Sequence, residues 1–456
     1  MTPNRLSYAE ALTALESRGR FGIRLGLART HALLAGLGHP ERSFRGALIA
    51  GTNGKGSVLA LTGAALGAAG YRVGETPKPH LVTYRERLQI GGLPVDPGAF
   101  AELAGEVLAL SDRVARRHGD PTEFELLTAI TFLWFARSGI DLAVVEVGLG
   151  GRLDATHAWD GGVAAITNVT LDHTDRLGAT VEAIAKEKAA IIMRGDRAVT
   201  GAWGPALRIV ERRSRRVEAP LVVAKPAPVL AVDRDGIEVE LGRLGQVRVG
   251  LRGRHQAANV AVADAILDAL ESAGIAAVPA EARRAGYSAV RWPGRLELVE
   301  ASGREVLLDG AHTPAGAATL AGALDELAPF LRPDRPTLVL AIMADKDVDG
   351  VIVALAGSSF LREARVVCTA PAGGRAMPAD RLAARWTAIS GRPAEAVADP
   401  AAALDAALSG GGRGAIGSGP VVVAGSLYLV GAARAILVSD PLLVPDPPIP
   451  HPETAP

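Results

Sequence analysis

The segment GTNGKGS, at residues 51–57, combines the residue types that bind phosphate groups. It lies between an apolar run at 47–50, which predicts a buried strand, and a stretch at 58–69 with helical spacing. Glycines let the backbone curl so that several N–H groups point at one phosphate, and a helix N-terminus adds partial positive charge. Lys55 supplies a full charge, and Ser57 supplies a hydroxyl one residue later than in the strict GxxxxGK[ST] pattern. We therefore predict a phosphate-binding loop rather than a simple tight turn, formed by Gly51, Thr52, Asn53, Gly54, Lys55, Gly56 and Ser57.

Two further candidates stand where neighbouring predicted strands end. Glu146 lies at the end of the apolar run DLAVVEV, and His173 stands just beyond the next predicted strand. The carboxyl ends of parallel strands meet at one edge of an open α/β sheet, where ligands bind. Because a phosphate loop needs magnesium and magnesium needs oxygen ligands, we predict metal ligation by Glu146 and His173; a surface glutamate and a structural histidine are the alternatives. Lys188 lies on an otherwise apolar helix and is, by itself, expected to be a solvated lysine.

The elements that must position these residues follow an α/β pattern. Short apolar runs alternate with amphipathic stretches through most of the chain, which predicts parallel α/β layers. The alternation in GIEVELGRLGQVRVG, at 236–250, predicts a small antiparallel appendage, and a new α/β pattern begins near 305. We place the domain boundary near 290–296. The predicted domains are an N-terminal phosphate-loop domain at 1–292, a smaller C-terminal domain at 293–438, and a proline-rich disordered tail at 439–456.

The composition excludes several classes of protein. Hydrophobic residues make up 48% of the 456 residues and charged residues 21%, so most of the chain is expected to fold. Lys plus Arg and Asp plus Glu number 49 each, which favours neither nucleic acid nor an anionic membrane as a partner. Cys368 is the single cysteine, which excludes an internal disulfide and a thiolate zinc site. Since neither a signal peptide nor a membrane-length apolar run is evident, we expect a soluble cytoplasmic protein.

An ordered set of segments, spanning nearly the whole chain, resembles folylpolyglutamate synthase/dihydrofolate synthase, a branch of the Mur-ligase superfamily. The segments are FGIRLGLAR, GTNGKGS, PHLVTYRERLQIGG, FELLTAITF, VEVGLGGRLDATHA, TNVTLDHTDRLG, EKAAI, GRHQAANVAVA, PGRLE, DGAHTPAGA, ADKD and GSLYLVGAAR. The resemblance implies an α/β fold in which a P-loop central ATPase domain of the Mur-ligase type precedes a smaller Rossmann-like ligase domain, with ATP between them. It also implies ATP and two Mg²⁺ ions as cofactors, K⁺ as a further candidate, and a monomer.

The same resemblance assigns roles to individual residues. Lys188 matches the lysine that the family carbamylates, a change that would convert a cation into a carboxylate-like metal ligand beside Glu146 and His173. His312 or Asp309 is expected to contact the nucleotide or to assist the incoming amine. Beyond the phosphate loop, the residues that match ATP contacts are Asn259, Arg295 and Asp309. The residues that match the pterin-substrate site are Leu25, Gly26, Leu27, Glu123, Phe124, Glu125, Leu153, Asp154 and Ala155.

The sequence departs from the family pattern at two positions. In ETPKPHL, Lys78 stands where the family has a serine that contributes to a magnesium site, and a protonated lysine cannot ligate magnesium. We predict that Lys78 contacts a phosphate oxygen, or that Thr76, Ser57 or water fills the ligand position. Thr313 replaces the asparagine of the family's AHNP segment, which affects one contact of the C-terminal domain but not the fold.

The function that the resemblance implies is ATP-dependent formation of an amide from a carboxylate and glutamate. The γ-phosphoryl group would move onto the carboxylate of dihydropteroate or folate, and the amino group of L-glutamate would then attack the acyl phosphate. Lys55 and the Mg²⁺ ions would neutralise the charge that develops. The segments FELLT and LDAT favour a bifunctional enzyme. Two alternatives stay open: a Mur-type ligase acting on a cell-wall precursor, and a nucleotide-binding module without ligase activity.

Overall fold

The computed structural model describes residues 6–21, 26–371, 375–409 and 419–447. These residues form two compact units. The first comprises the chain up to Ala227, the segment Ala258–Tyr287 and the residues from Pro445 onward. The second comprises Pro228–Ala257 and Ser288–Val444. No helix in the described ranges has both the length and the apolar character that crossing a membrane requires.

The first unit contains an eight-stranded sheet covered by helices. Its strands run in the order β4-β3-β2-β5-β1-β6-β7-β8, and the six from β2 to β8 are parallel. The strands are β1 (Arg45–Ala50), β2 (Val73–Thr76), β3 (Gln89–Ile90), β4 (Leu93–Pro94), β5 (Leu142–Glu146), β6 (Gly162–Ile166), β7 (Arg197–Thr200) and β8 (Leu221–Val223). The helices up to β8 are α1 (Tyr8–Glu16), α2 (Ala28–Gly36), α3 (Lys55–Ala68), α4 (Pro97–His118), α5 (Glu123–Ser138), α6 (Thr174–Leu177), α7 (Val181–Ala189) and α8 (Gly204–Val217).

The second unit is built on a six-stranded sheet and a small antiparallel one. The small sheet has the order β11-β10-β9, and the larger has the order β12-β13-β17-β14-β15-β16. The remaining strands are β9 (Val229–Asp233), β10 (Gly236–Glu240), β11 (Gln246–Val249), β12 (Glu297–Ala301), β13 (Arg304–Leu308), β14 (Thr337–Leu340), β15 (Arg365–Cys368), β16 (Glu395–Ala396) and β17 (Val421–Ala424). The remaining helices are α9 (Gln256–Ser272), α10 (Ala280–Ala289), α11 (Pro314–Leu327), α12 (Val348–Ala356), α13 (Ala379–Ser390), α14 (Pro400–Leu408) and α15 (Leu427–Leu437). Part of α9 and nearly all of α10 belong to the first unit.

The strands at the centre of each sheet are apolar because helices cover both faces. All five residues of β5 are buried, as are all residues of β1 after Arg45. A parallel sheet covered on both faces needs such continuous apolar runs rather than an alternating pattern. The predicted parallel α/β architecture is therefore confirmed, and so is the antiparallel appendage, which is the sheet of β9, β10 and β11.

The structure divides the chain differently from the predicted domains in two places. The small antiparallel sheet lies within 1–292 but packs with the second unit, and the chain returns to the first unit at Ala258. The predicted disordered tail is wrong for the residues up to 447. Asp446 accepts hydrogen bonds from the Tyr8 hydroxyl at 2.6 Å, the Thr83 hydroxyl at 2.7 Å and the Tyr84 N–H at 2.7 Å. A half-buried carboxylate with three donors fixes this segment in place.

Candidate active site

The predicted phosphate loop connects β1 to α3 near the centre of the eight-stranded sheet. In the parallel pairing of β1 with β5, Ile49 lies opposite Glu146, so both strands end at the same edge. The helix α3 begins at Lys55, directly after Gly54, whose φ of 79° is in the left-handed region. The first backbone N–H groups of a helix have no acceptor inside that helix. The loop therefore presents N–H donors and a helix N-terminus at the carboxyl edge of the sheet.

Hydrogen bonds to the segment that follows β6 hold the loop in place. The Thr52 N–H donates to the Asn168 carbonyl at 2.9 Å, and the Asn53 N–H donates to Asn168 Oδ1 at 3.0 Å. In return, the Thr167 hydroxyl donates to the Asn53 carbonyl at 2.6 Å. Sequence analysis did not single out Asn168 or Thr167. Their place directly after a predicted strand, at the ligand-binding edge, is the signal that could have identified them.

Neighbouring atoms leave no room for a side chain at two glycines of the loop. A Cβ on Gly51 would stand 1.9 Å from Thr167 Oγ1, and one on Gly54 would stand 2.2 Å from Asn259 Oδ1. Both distances are far shorter than van der Waals contact, so a side chain at either position would displace the loop. The second contact also shows that Asn259, predicted to contact ATP, lies against the phosphate loop. Ser57 is buried in the first turn of α3.

Lys55 and Glu146 lie close together at this edge. Lys55 Nζ donates to the carbonyl oxygens of Gly51 at 3.2 Å and Thr52 at 3.1 Å, and it lies 3.9 Å from Glu146 Oε1. Glu146 is only 3% exposed. The partly exposed ammonium thus lies beside a buried carboxylate, at an ion-pair distance longer than a direct hydrogen bond. Because no direct hydrogen bond joins them, Lys55 can turn to another anionic group without breaking one.

Lys78 is the third charged residue at this edge. Its backbone N–H donates to Glu146 Oε2 at 3.0 Å, and its Nζ donates to the Glu146 carbonyl at 2.7 Å. Lys78 Nζ also lies 4.4 Å from the centre of the Phe124 ring. Burial lowers the pKa of Lys78 to about 8, although the negative charges of Asp154 and Glu146 act against this shift. The departure from the family serine therefore places a cation beside the predicted metal ligand Glu146.

Lys188 is buried, which corrects the expectation from its helix alone that it is a solvated lysine. It lies near the end of α7, is 5% exposed, and its Nζ donates to the Gly51 carbonyl at 2.8 Å. Burial and, to a lesser extent, the charge on Lys55 lower its pKa to about 7. The negative charges of Asp172 and Asp154 act against this shift. An amine with this pKa is neutral in a substantial fraction of molecules near neutral pH.

His173 is more exposed than the other predicted metal ligands. Its side chain is 45% exposed, and Nε2 lies 3.8 Å from Asp172 Oδ1. His173 has a φ of 48° and precedes the short helix α6. Because the Asp172 carboxylate acts on the pKa of Lys188, the segment that carries His173 lies within electrostatic range of that amine.

The donor groups at this edge suit a hard cation at Glu146. Within the described residues, no three His, Cys, Asp or Glu side chains form a cluster that could hold a metal ion. However, the buried Thr76 hydroxyl has no hydrogen-bond partner in the structure, and Thr76 pairs with Val145, directly before Glu146. A carboxylate and a hydroxyl are the oxygen donors that Mg²⁺ accepts. The residues present therefore fit one ion at Glu146, whereas an ion at Lys188 requires that the lysine be modified.

Among the residues predicted to line the pterin site, Phe124 has the clearest access to a cavity. A narrow cavity is lined by Lys78, Phe124 and Thr156, together with Thr76, Arg87, Leu127, Thr128, Thr131 and Phe132.

The other residues predicted for this site differ in their surroundings. Burial, with a smaller contribution from the charge of Glu16, raises the pKa of Glu123 to about 7. Ala155 is buried and Leu153 is partly buried. Gly26 and Leu27 directly precede α2, whereas Leu25 lies outside the described residues.

Two carboxylates of the predicted pterin site are occupied by contacts within the protein. Glu125 caps the start of α5 by accepting the Thr122 N–H at 2.8 Å, and it pairs with Arg29 at 2.9 Å. Asp154 accepts hydrogen bonds from the backbone N–H groups of Gly148, Leu149 and Thr156, at 3.1, 2.9 and 3.0 Å. These contacts hold both side chains in fixed positions, and a contact of either with substrate stays a prediction.

The remaining predicted residues lie in the second unit, where strand β13 ends. The Asp309 carboxylate accepts hydrogen bonds from the Leu296 N–H at 2.9 Å and the Ala311 N–H at 2.8 Å. His312 Nδ1 lies 2.8 Å from the Gly310 carbonyl, so this nitrogen carries the proton and Nε2 is the acceptor of the neutral ring. Thr313 caps α11 by accepting the Gly316 N–H at 3.2 Å. Thr313 thus takes a structural role that an asparagine could also fill.

Arg295 lies close to this turn. Its Nη1 donates to the Gly294 carbonyl at 3.4 Å, and a Cβ on Gly310 would stand 2.5 Å from the same nitrogen. The Gly310 N–H also donates to the Gly294 carbonyl at 2.9 Å. The structure therefore brings Arg295 and the Asp309–His312 turn together within the second unit.

Comparison with known proteins identifies two Mur ligase domains in the chain. The family model of the Mur ligase middle domain matches residues 49–267, and that of the Mur ligase glutamate ligase domain matches residues 294–427. The dihydrofolate synthase/folylpolyglutamate synthase of Mycobacterium tuberculosis is 37% identical over 91% of this chain and 90% of its own length.

Solved structures show the same likeness. The folylpolyglutamate synthase of Mycobacterium tuberculosis complexed with ADP and AMPPCP superposes with a TM-score of 0.83 at 34% identity, covering 94% of this chain and 99% of that one. A bifunctional folylpolyglutamate synthase/dihydrofolate synthase with Mn, AMPPNP and L-glutamate bound superposes with a TM-score of 0.78 at 29% identity, covering 96% of this chain and 100% of that one. Since models of both domains match in order and the relative is 37% identical over 91% of this chain, the chain belongs to the folylpolyglutamate synthase/dihydrofolate synthase family of ATP-dependent ligases, within the Mur-ligase superfamily.

Proposed function

We propose that this chain joins L-glutamate, at the expense of ATP, both to dihydropteroate and to the γ-carboxylate of (tetrahydro)folates. The Mycobacterium tuberculosis relative is named for both activities, and one structural relative was solved with a divalent metal, a nucleotide analogue and L-glutamate. The observation that carries the proposal is that Lys55 lies 3.9 Å from the buried Glu146 while Lys188 is buried against the same glycine loop. A nucleotide-binding module without ligase activity would need the loop and a carboxylate for the metal, but not a second, buried lysine against the loop.

The first step would be transfer of the γ-phosphoryl group to the acceptor carboxylate. The N–H groups at the start of α3 and the Lys55 ammonium would hold the β- and γ-phosphates. Phosphoryl transfer depends mainly on in-line positioning and on neutralising charge on the transferred group. Lys55, which now donates to the carbonyls of Gly51 and Thr52, would turn to the phosphates when the nucleotide binds.

A divalent cation would be held by Glu146, with the Thr76 and Ser57 hydroxyls as further oxygen donors. When bound, Mg²⁺ supplies positive charge that offsets repulsion between the triphosphate and the acceptor carboxylate. Glu146 is prepared for this role because the Lys78 N–H fixes the direction of one carboxylate oxygen. Burial strengthens the attraction between the carboxylate and any cation beside it.

A second divalent ion would require carbamylation of Lys188, with His173 as the other ligand. Carbamylation needs the neutral amine, and burial and the Lys55 charge lower the pKa of Lys188 to about 7. The hydrogen bond to the Gly51 carbonyl holds the amine against the phosphate loop. These features support the carbamate as the form in which Lys188 serves the reaction.

The second step would be attack of the glutamate amine on the acyl phosphate. His312 is suited to accept a proton from the amine, since its Nδ1 is directed to the Gly310 carbonyl and leaves Nε2 as the acceptor. Asp309, held by two backbone N–H groups, keeps the adjacent turn in place. Arg295 supplies a cation beside this turn for the nucleotide.

The decisive experiment is ADP release with L-glutamate and each of three acceptors. We expect ADP release and a glutamylated product with dihydropteroate and with tetrahydrofolate, and none with a UDP-linked muropeptide. Activity with only one of the folate acceptors would reduce the proposal to a monofunctional enzyme. Absence of acceptor-dependent ADP release with all three would refute it.

A further inference from the structure

We propose that the Lys78 ammonium binds the carboxylate of the acceptor and holds it for phosphorylation, so that Lys78 determines specificity for a carboxylate at this position. The inference rests on the proposed function and adds one residue to it. The alternative expected from the sequence, a contact of Lys78 with a phosphate oxygen, makes a different prediction for nucleotide affinity.

The contacts of Lys78 direct its ammonium group into the cavity rather than toward solvent. Nζ donates to the Glu146 carbonyl at 2.7 Å and lies 4.4 Å from the centre of the Phe124 ring. An ammonium has three N–H donors, and the bond to Glu146 uses one of them. The carbonyl and the ring thus fix the position of the ammonium, and the negative charges of Asp154 and Glu146 favour its protonated form.

The lining of the cavity around this ammonium is positively charged. It contains two cations, Lys78 and Arg87, and no carboxylate. Among its threonine hydroxyls, that of Thr76 has no hydrogen-bond partner in the structure, whereas those of Thr128 and Thr131 donate to backbone carbonyls. The Arg87 guanidinium is engaged, since Nε donates to His80 Nδ1 at 2.8 Å and the group stacks on the Tyr84 ring at 4.7 Å. Lys78 is therefore the better placed of the two cations for binding an anionic group.

Lys78 lies near the phosphate loop, so a carboxylate bound to it would be close to the γ-phosphate. Lys55 lies 3.9 Å from one oxygen of Glu146, and the Lys78 N–H lies 3.0 Å from the other. Lys55 and Lys78 therefore contact different oxygens of the same carboxylate, Lys55 through its ammonium and Lys78 through its backbone N–H, while the Lys78 ammonium binds the carbonyl of the same residue. An acceptor whose carboxylate binds Lys78 would meet a γ-phosphate bound at Lys55, and the two cations would offset the repulsion between these anions.

The test compares two ligands that differ only at the carboxylate. Binding of pteroate and of its uncharged carboxamide is measured by fluorescence titration, with ADP and Mg²⁺ present, for wild type and for Lys78→Met. Methionine keeps an unbranched chain of similar length but has no charge. In wild type we expect pteroate to bind roughly tenfold or more tightly than the carboxamide, as a charge-assisted hydrogen bond provides. In the variant this preference should fall to near unity, with ADP affinity nearly unchanged.

Controls separate this role from a structural one. Lys186→Met removes an exposed lysine from α7 and should keep the wild-type preference. Thermal unfolding checks that Lys78→Met is folded. Equal weakening of both ligands by Lys78→Met would show that Lys78 only positions Glu146, and a selective loss of ADP affinity would show a phosphate contact. Either outcome overturns the inference while wild-type ADP release still supports the proposed function, whereas absent wild-type turnover refutes the function itself.

Discussion

The carboxylates of Glu146 and Asp154 lie in one motif and are about equally buried, yet their oxygens have different partners. Glu146 is 3% exposed and Asp154 is 4% exposed. Asp154 accepts hydrogen bonds from three backbone N–H groups and from the Thr156 hydroxyl at 2.5 Å, which occupies both of its oxygens with neutral donors. Glu146 instead has the ammonium of Lys55 at 3.9 Å and the N–H of Lys78 at 3.0 Å. Burial alone therefore does not separate the carboxylate that we propose to bind a cation from one held by backbone N–H groups, whereas the partners of the oxygens do.

The largest effect is expected from Glu146→Gln. The amide keeps the shape of the side chain and can still accept from the Lys78 N–H, but it removes the negative charge that would bind a divalent cation. We expect kcat for ADP release to fall by about 10² or more, with a melting temperature close to that of wild type. Near-normal turnover in this variant would contradict the proposal that Glu146, unlike Asp154, binds a cation needed for the reaction.

A smaller effect, on stability, is expected from Asp154→Asn. The amide has one acceptor oxygen in place of two, so its NH₂ group would face buried N–H donors that then lack a partner. We expect a loss of about 1–3 kcal/mol in the free energy of unfolding, measured by urea denaturation. The control is Asp405→Asn, which changes an exposed carboxylate on α14 and should leave stability within the error. An Asp154→Asn protein as stable as wild type would contradict the structural role.

The smallest effect is expected from Lys188, a buried amine, and it concerns how the free energy of unfolding changes with pH. The folded-state pKa of Lys188 is about 7, against 10.5 for an ordinary lysine. Between these values the unfolded chain binds a proton that the folded chain does not, so this residue makes the free energy of unfolding rise as pH increases above 7. In carbon-dioxide-free buffer we expect a shallower rise between pH 7 and pH 9 for Lys188→Met. Lys186→Met is the control, and equal slopes in all three proteins would show that Lys188 is not held as a buried amine.

The sequence predicted the elements around the site best where those elements follow each other directly along the chain. The loop at 51–57 and the strand end at Glu146 could be placed because an apolar run, a glycine turn and a helix follow each other directly. Prediction failed where a segment packs with residues distant in sequence. The antiparallel sheet of β9, β10 and β11 joins the second unit, and Asp446 is bound by Tyr8 and Thr83, although the composition around each gives no sign of this.

The sequence by itself determined the family, the parallel α/β architecture and the edge of the sheet where the chemistry belongs, because motif order and strand periodicity are properties of neighbouring residues. Only the tertiary structure decided that Lys188 is buried against Gly51, that Lys78 lies between Glu146 and Phe124, and that Asp154 is occupied by the backbone. The charge state and partners of a side chain depend on which distant groups exclude water from it. That exclusion arises only when the helices close over the sheet.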